Sequence, residues 1–116
     1  MQRGEIWMVD VQPPTGEQPG REQIGDRPAV ILQQTNANQK TVVIVPITKN
    51  QSRQQELGGF LIQPTAENGL TLPSVVMTNQ VRACDVRKFR RLCGKLEPAH
   101  LQRLEQELAA LLNLRG

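Results

Sequence analysis

One arginine of the sequence lies where its side chain would be held stiffly. Arg27 follows a stretch rich in proline and glycine and precedes Pro28, which opens the apolar run 29–32. Pro28 fixes its own φ angle and pushes Arg27 towards an extended conformation. Functional side chains often lie on loops that a rigid scaffold braces. A guanidinium held in this way suits bidentate binding of phosphate, although it can equally pair with Glu22 or Asp26 and only fix the loop.

A second feature is a cluster of positive charge in a chain whose net charge is only +3. Residues 82–95 contain a single acid, Asp85, and these basic residues: Arg82, Arg87, Lys88, Arg90, Arg91 and Lys95. Such a cluster is typical of a surface that binds a polyanion. A solvated surface without a ligand gives the same pattern, so the charge run alone leaves both interpretations open.

Several other kinds of chemistry are disfavoured by composition. The sequence has one histidine and only two cysteines, Cys84 and Cys93, with no Cys-x-x-Cys motif, so we expect free thiols and no metal site. His100 is expected to be an exposed helix residue rather than a catalyst. No apolar run is long enough to span a membrane, and no signal-peptide pattern follows Met1, so a cytoplasmic location is expected. The 116 residues suit one domain, 1–116.

Short apolar runs position these side chains. They predict five strands, which are Gly4–Val11, Arg27–Gln34, Thr41–Thr48, Leu57–Gln63 and, within the segment Ser74–Cys84, Val75–Met77. Pro46 suggests the end of a strand or an edge strand. Trp7 is expected in the core, with a base-stacking platform as the alternative. Two loops, Gln12–Asp26 and Lys49–Glu56, are long or polar enough to be functional.

The C-terminal segment has a different periodicity. Pro98 suits the first turn of a helix, and leucines recur at helical spacing to form one apolar stripe. The stripe comprises Leu101, Leu104, Leu108, Leu111 and Leu112. Short strands followed by one helix predict a mainly β fold with a C-terminal helix (α+β). We expect a small, strongly curved antiparallel sheet, such as an SH3-like barrel, with the helix packed on one side.

Six short motifs in order resemble the MazF/PemK family of toxin endoribonucleases, related in fold to the CcdB-type toxins. They are Arg3–Trp7, Glu22–Val30, Val45–Thr48, Gly69–Val76, Gln80–Asp85 and Gly94–Leu96. The resemblance runs nearly from end to end. It implies a homodimeric toxin of a type II toxin–antitoxin system that cleaves single-stranded RNA without a metal or other cofactor. It also implies inhibition by a cognate MazE-like antitoxin, whose acidic, disordered tail would suit the two long loops and the basic surface.

The resemblance also assigns roles to residues. Arg27 and Thr48 match the family's arginine and threonine most often assigned to catalysis, and Glu22 matches a loop acid important for activity. Gln80, Arg82 and Asp85 match a motif linked to RNA binding, and Ser74 matches a serine beside the site. Asn79 is expected to help Gln80 read bases through hydrogen bonds. Candidates for contacts with RNA phosphates are Arg53, Arg82, Arg87, Lys88, Arg90 and Arg91.

The chemistry implied for these residues needs only the RNA's own 2′-OH as nucleophile. Arg27 would stabilise the pentavalent phosphorane, and Thr48 would add a hydroxyl donor to the same phosphate. Glu22 is either the general base or an ion-pair partner that orients Arg27. Two other functions compete with this one: a CcdB-like poison that binds DNA gyrase, and a non-catalytic SH3-like module that binds RNA.

Overall fold

The apolar runs of the sequence form the centre of one antiparallel sheet. The computed structural model describes residues 1–10, 26–36, 38–49 and 58–114. In chain order the strands are β1 (Glu5–Asp10), β2 (Asp26–Ile31), β3 (Thr41–Thr48), β4 (Phe60–Ile62), β5 (Ser74–Val76), β6 (Arg82–Asp85) and β7 (Phe89–Lys95). The helix α1 spans Pro98–Leu111, and two 3₁₀ turns span Thr78–Gln80 and Val86–Lys88.

Strand β3 organises the sheet. The strand order is β4-β5-β3-β2-β1-β7, and β6 also pairs with β3. β6 lies beside residues 41–44 of β3 and β5 lies beside residues 47–48, so the two short strands follow each other along the same strand. All these pairs are antiparallel. The prediction of a mainly antiparallel sheet with one C-terminal helix is confirmed.

Pro46 lies inside this central strand, so its prediction as a strand end or edge marker is wrong. It pairs with Ala29 of β2, and its carbonyl accepts a hydrogen bond from the N–H of Met77 at 2.9 Å. The N–H and C=O of a strand residue point to the same side, so the missing N–H of Pro46 faces the turn Thr78–Gln80. That turn interrupts the ladder between β5 and β6, and the strand therefore tolerates a proline here.

The sheet buries apolar side chains on both faces because neighbouring residues of β2 and β3 point to opposite sides. One cluster contains Val30 and Val45 together with Leu104 of α1, and a second contains Ala29 and Ile44. Burial on both sides explains why β2 and β3 read as continuous apolar runs rather than as alternating ones.

The helix packs through part of its leucine stripe. Leu104 is fully buried, and Leu101 and Leu108 pack against the same cluster. Leu111 and Leu112, the C-terminal members of the predicted stripe, are 45% and 53% exposed. They lie at the last turn of α1, beyond the part that the core covers. Among the described helices, none is long and apolar enough to cross a membrane.

The sequence predicted five strands, whereas the described residues form seven. The predicted strand Val75–Met77 corresponds to β5, whereas the turn Thr78–Gln80 and the strands β6 and β7 were not predicted. Both β6 (RACD) and β7 (FRRLCGK) carry several polar residues and no regular alternation. They are strands because β3 and β1 supply backbone partners, which local sequence does not reveal.

Trp7 was expected in the core and His100 on the exposed face of the helix, and both are partly buried. Trp7 is half-buried and packs edge-on against Phe89 beside the second cluster, while its indole N–H donates to Glu5 Oε1 at 3.0 Å. His100 is partly rather than fully exposed. Its ring lies near Phe60, and its Nδ1 is 3.4 Å from Glu97 Oε2.

Candidate active site

A cleft of about 330 Å³ opens beside the ends of β2 and β3. Its cationic lining residues are Arg27, Lys49 and Arg91. The other lining residues are Met8, Asp26, Pro28, Ile47, Thr48, Gly69, Leu70, Thr71, Leu72, Ser74 and Cys93. The cleft therefore brings together four of the residues that the sequence singled out: Arg27, Thr48, Ser74 and Arg91.

The pairing of β2 with β3 explains why Arg27 and Thr48 share this cleft. Ala29 pairs with Pro46 and Val30 pairs with Val45. When this register is continued towards the start of β2, Arg27 aligns with Thr48, so the two residues stand at neighbouring strand ends. Arg27 is half-buried, and Thr48 is only 6% exposed. Both also make interactions within the chain, which hold them in place.

The wall opposite the sheet is the segment 69–74. Ser74 begins β5 and is buried, and its Oγ donates to the carbonyl of Leu72 at 2.8 Å. Gly69 has a φ of +69°, and a Cβ at this position would overlap the carbonyl oxygen of Cys93 in β7. The wall can therefore approach β7 closely only because residue 69 has no side chain.

A buried amide holds this wall to the helix. The Asn68 side chain is fully buried and accepts hydrogen bonds from the N–H groups of Thr65 and Leu70, each at 3.0 Å. Its amide donates to the carbonyl of Gln63 at 2.9 Å and to Glu97 Oε1 at 3.0 Å. Every polar atom of the amide group is thus satisfied, which makes it a precise anchor.

Glu97 is the charged partner in this network and lies just before α1. Burial raises the pKa of Glu97, but a hydrogen bond from Thr65 and further hydrogen bonds outweigh it, so the pKa lies below its usual value. The carboxylate is therefore ionised where it accepts from Thr65 Oγ1 at 2.6 Å.

Arg90 joins both ends of the segment 11–25 to β7. Its guanidinium lies 3.5 Å from Asp10 Oδ2 and 3.6 Å from Asp26 Oδ1, and Nη1 donates to the carbonyl of Arg87 at 3.2 Å. Asp10 and Asp26 are paired residues of β1 and β2. Arg90 thus balances the negative charge of Asp26 next to Arg27, at the entrance of the cleft.

The protein family of the chain follows from a comparison of its sequence with known families. The model for PemK-like, MazF-like toxins of type II toxin–antitoxin systems matches residues 2–112. The chain belongs to this family.

Individual relatives agree with this family assignment. The chain is 28% identical to the endoribonuclease MazF9 of Mycobacterium tuberculosis, and the match covers 98% of each chain. A MazE–MazF structure from Deinococcus radiodurans superimposes with a TM-score of 0.72 at 22% identity, covering 99% of this chain and 97% of the other. The M. tuberculosis toxin MazF-mt6 gives 0.66 at 22% identity, covering 97% and 99%. At such identities the structural matches show the fold.

Other site residues predicted for this PemK/MazF family member lie away from the cleft. Asn79 and Gln80 belong to the 3₁₀ turn between β5 and β6, and Arg82 pairs with Ile44 in the middle of β3. Asp85 pairs with Thr41 at the far end of β3, seven residues from Thr48, which corresponds to about 23 Å along a strand. We call Arg82, Asp85, Arg87 and Lys88 the remote basic surface.

Within the remote basic surface, the carboxylate of Asp85 is paired with Arg87. Its carboxylate accepts the backbone N–H of Arg87 at 2.8 Å and also Nε and Nη2 of the same side chain, at 3.1 and 2.8 Å. The Arg87 side chain and backbone hydrogen bonds lower the pKa of Asp85 to about 2. Asp85 thus orients Arg87, and its predicted contact with RNA stays a prediction.

Two predicted residues, Glu22 and Arg53, lie outside the described residues. Conversely, the sequence did not single out the wall 69–72, Lys49 or Cys93 as parts of a site. The wall shapes the cleft through the turn that precedes Gly69. The pair Asn68–Gly69 is a recognisable turn sequence, but the sequence could not reveal that Gly69 packs against Cys93 of β7. Arg91 was one of six candidates for phosphate contact, and only the pairing of β7 with β1 places it in the cleft.

The two thiols of the chain are poorly suited to nucleophilic chemistry. Burial raises the pKa of Cys93, which lines the cleft, and burial likewise raises that of Cys84 in the second cluster. Both cysteines are free. Within the described ranges, no group of three His, Cys, Asp or Glu side chains is arranged to hold a metal ion.

Proposed function

We propose that this PemK/MazF family member is an endoribonuclease toxin that cleaves single-stranded RNA in the cleft. The observation that carries the proposal is the placement of Arg27 and Thr48 at neighbouring strand ends that line one cleft. Family membership and the relative named an endoribonuclease support it. Neither a gyrase poison nor a passive RNA-binding module needs this pair.

The proposed chemistry uses the ribose 2′-OH as nucleophile and requires no metal. The 2′-OH gives up its proton as its oxygen attacks the adjacent phosphorus and forms a pentavalent phosphorane, and the 5′-oxygen leaves as its bond to phosphorus breaks and takes up a proton from Arg27 or from water. The products are a 2′,3′-cyclic phosphate, or the 3′-phosphate after hydrolysis, and a 5′-OH. Arg27 donates two hydrogen bonds to the developing charge, and Thr48 donates one from its hydroxyl. Such preorganised donors typically contribute about 10²–10³ in rate each.

Proton transfer in this scheme involves Glu22 in one of two roles. As a general base it would take the proton of the 2′-OH, which typically contributes about 10²–10⁴ in rate. As an ion-pair partner it would instead orient Arg27. A Glu22→Gln variant distinguishes the two roles. If Glu22 is the general base, the variant should lose the acidic limb of the pH–rate profile. If Glu22 is an ion-pair partner that orients Arg27, the variant should have a lower rate at every pH.

RNA would extend from the cleft along β3 towards the remote basic surface. Ser74 lies at the cleft, and Asn79 and Gln80 belong to the turn that follows β5, beside the central strand β3. Arg82, Arg87 and Lys88 come next, and we propose that they bind phosphates further along the chain. Arg53 is proposed to contribute another phosphate contact.

The proposed partners follow from the family. Relatives of known structure from D. radiodurans and a mycobacterial species are complexes with MazE or with a cognate antitoxin. We propose that a MazE-like antitoxin inhibits this chain by placing an acidic tail on the cleft and the basic surface. A homodimer acting in the cytoplasm completes the proposal.

The test is to incubate the purified protein with a long, defined single-stranded RNA in EDTA and to map the cut sites and end groups. We expect cuts at a short sequence motif with 5′-OH ends. Arg27→Ala should lower kcat at least about 10²-fold, whereas Lys95→Ala, a charge loss on exposed β7 outside the cleft, should leave kcat unchanged. Intact RNA, or inhibition of gyrase instead, would refute the proposal.

A further inference from the structure

The basic residues of the run 82–95 differ in how far they are already paired. Arg87 is held by Asp85, and Arg90 is shared between Asp10 and Asp26. Arg91 is exposed, lines the cleft, and makes no ion pair with any residue in the described part of the chain. Its charge is therefore available to a ligand, whereas the charge of its neighbour Arg90 is balanced inside the protein.

The sheet register fixes the position of Arg91 relative to the proposed catalytic pair. Arg91 pairs with Met8, and Met8 pairs with Pro28. The next pair in the β2–β3 register joins Pro28 to Ile47, and all four residues line the cleft. This row crosses β7, β1, β2 and β3, so its ends are three strand spacings apart, or about 14 Å between backbones.

The cleft thus has a cation at each end of an apolar floor. Arg27 and Lys49 lie at the β2–β3 end and Arg91 lies at the β7 edge, while Met8, Pro28 and Ile47 lie between them. A chain that alternates anionic phosphates with uncharged nucleosides, whose bases are flat, complements this order of groups. An isolated phosphate would occupy only one end of a cleft of about 330 Å³.

We propose that Arg91 binds a phosphate neighbouring the one that is cleaved, and so positions the RNA across the cleft floor. The inference rests on the proposed function, because it assigns a role in the same cleft. Arg91 does not touch the reacting atoms, so its effect falls on binding rather than on the chemical step. Arg90 supports it indirectly by balancing Asp26, which would otherwise repel the phosphate chain.

The experiment measures binding separately from cleavage. The probe is a short single-stranded RNA that contains the mapped motif, with a 2′-deoxy nucleotide at the cut site so that no nucleophile is present. Its dissociation constant is measured at several salt concentrations for wild type, Arg91→Ala, Arg91→Lys and Lys95→Ala. KM and kcat are then measured with the all-ribose RNA.

We expect Arg91→Ala to raise Kd and KM roughly tenfold and to change kcat less than threefold. The salt slope of binding should fall by about 0.7, the value for one phosphate on a single strand. Arg91→Lys should keep the slope and restore part of the affinity, which a merely structural defect would not do. Lys95→Ala should match wild type in all of these quantities.

Two results would overturn the role of Arg91. One is an Arg91→Ala variant that matches Lys95→Ala in Kd, KM and slope, and the other is a loss confined to kcat. Failure of the proposed function gives a different result, since wild type would then leave the all-ribose RNA intact whatever Arg91 contributes to binding.

Discussion

At the scale of single residues, the cleft combines a buried hydroxyl with exposed positive charge. Thr48 is almost fully buried, whereas Lys49 next to it is exposed. A buried donor is fixed before the substrate arrives and loses little entropy on binding. An exposed cation keeps its mobility and instead attracts the polyanion over a distance. The two neighbours therefore suit different steps, chemistry and capture.

Thr48→Val separates these steps. Valine has nearly the same shape and suits a strand, so the variant should unfold within a few degrees of wild type. The lost hydroxyl should lower kcat by about 10²-fold and change KM little, because the donor acts mainly on the transition state. Steady-state kinetics on a defined RNA and thermal unfolding check both quantities. A variant with normal kcat would remove Thr48 from the proposed catalytic pair.

The Asp85 carboxyl should titrate at a lower pH than an ordinary aspartate. Its folded pKa of about 2 lies below the ordinary 3.8 because Arg87 donates to the carboxylate. A lowered folded pKa stabilises the fold above the ordinary pKa, and this contribution is lost as the pH falls from about 4 to about 2. NMR titration of the Asp85 carboxyl carbon should give a midpoint near 2, which Arg87→Ala should move back towards 3.8. A wild-type midpoint near 3.8 would contradict the pairing.

Which residues could be foreseen depended on their local surroundings. Arg27 stood out because Pro28 stiffens it and an apolar strand follows. Arg91 did not, because in RKFRRLCGK it is one of several similar cations. Only the pairing of β7 with Met8 and the charges on Asp10 and Asp26 distinguish it from Arg90. Those partners lie far away in sequence.

At the scale of elements, the cleft depends on how closely the wall 69–74 approaches β7. Asn68–Gly69 is a sequence pair typical of turns, and residues 66–68 do form a turn, after which Gly69 has positive φ. The central strands β2 and β3 were also foreseen, because burial on both faces gives long apolar runs. The strands β6 and β7 were missed because they are short of apolar residues and depend on backbone pairing.

Gly69→Ala tests the close approach of this wall. The new Cβ would overlap the carbonyl of Cys93, and a residue with a side chain is strained at this φ. We expect a loss of about 1–3 kcal/mol in the free energy of unfolding and a lower affinity for RNA. Denaturant unfolding measures the first quantity. Glu67→Ala, an exposed side chain in the same turn, is the matched control and should be nearly neutral.

A Gly69→Ala protein as stable as wild type would show that the wall can move away from β7 at little cost. The cleft would then be adjustable, and its width would not depend on residue 69.

At the scale of the whole molecule, positive charge is divided between the cleft and the remote basic surface. The cleft lies at the Thr48 end of β3, and the remote basic surface extends from Arg82 beside the middle of this strand to Asp85 at its other end, about 23 Å from Thr48 along the strand. A short RNA can reach only the first, whereas a longer RNA can reach both.

The salt dependence of binding should therefore differ with RNA length. A short uncleavable RNA that contacts the three cleft cations should give a slope of log K against log salt of about −2, at about 0.7 per phosphate. A much longer RNA should give a steeper slope, and replacing Arg82, Arg87 and Lys88 by alanine should reduce this difference without changing the slope for the short RNA. Equal slopes for both lengths would exclude the remote basic surface from RNA binding.

The contacts of Arg90 have a consequence for how this scaffold can change over evolution. Asp10 and Asp26 are held as neighbours by their strand pairing and by Arg90, so the fifteen residues between them begin and end at fixed points. The entropic cost of joining two fixed points by a chain segment grows slowly with the length of that segment, by about 0.6 kcal/mol for each doubling. Insertions and deletions between these two aspartates should therefore be nearly neutral for folding. Lineages of this family could therefore differ in length between the two aspartates while the sheet that carries Arg27 stays unchanged.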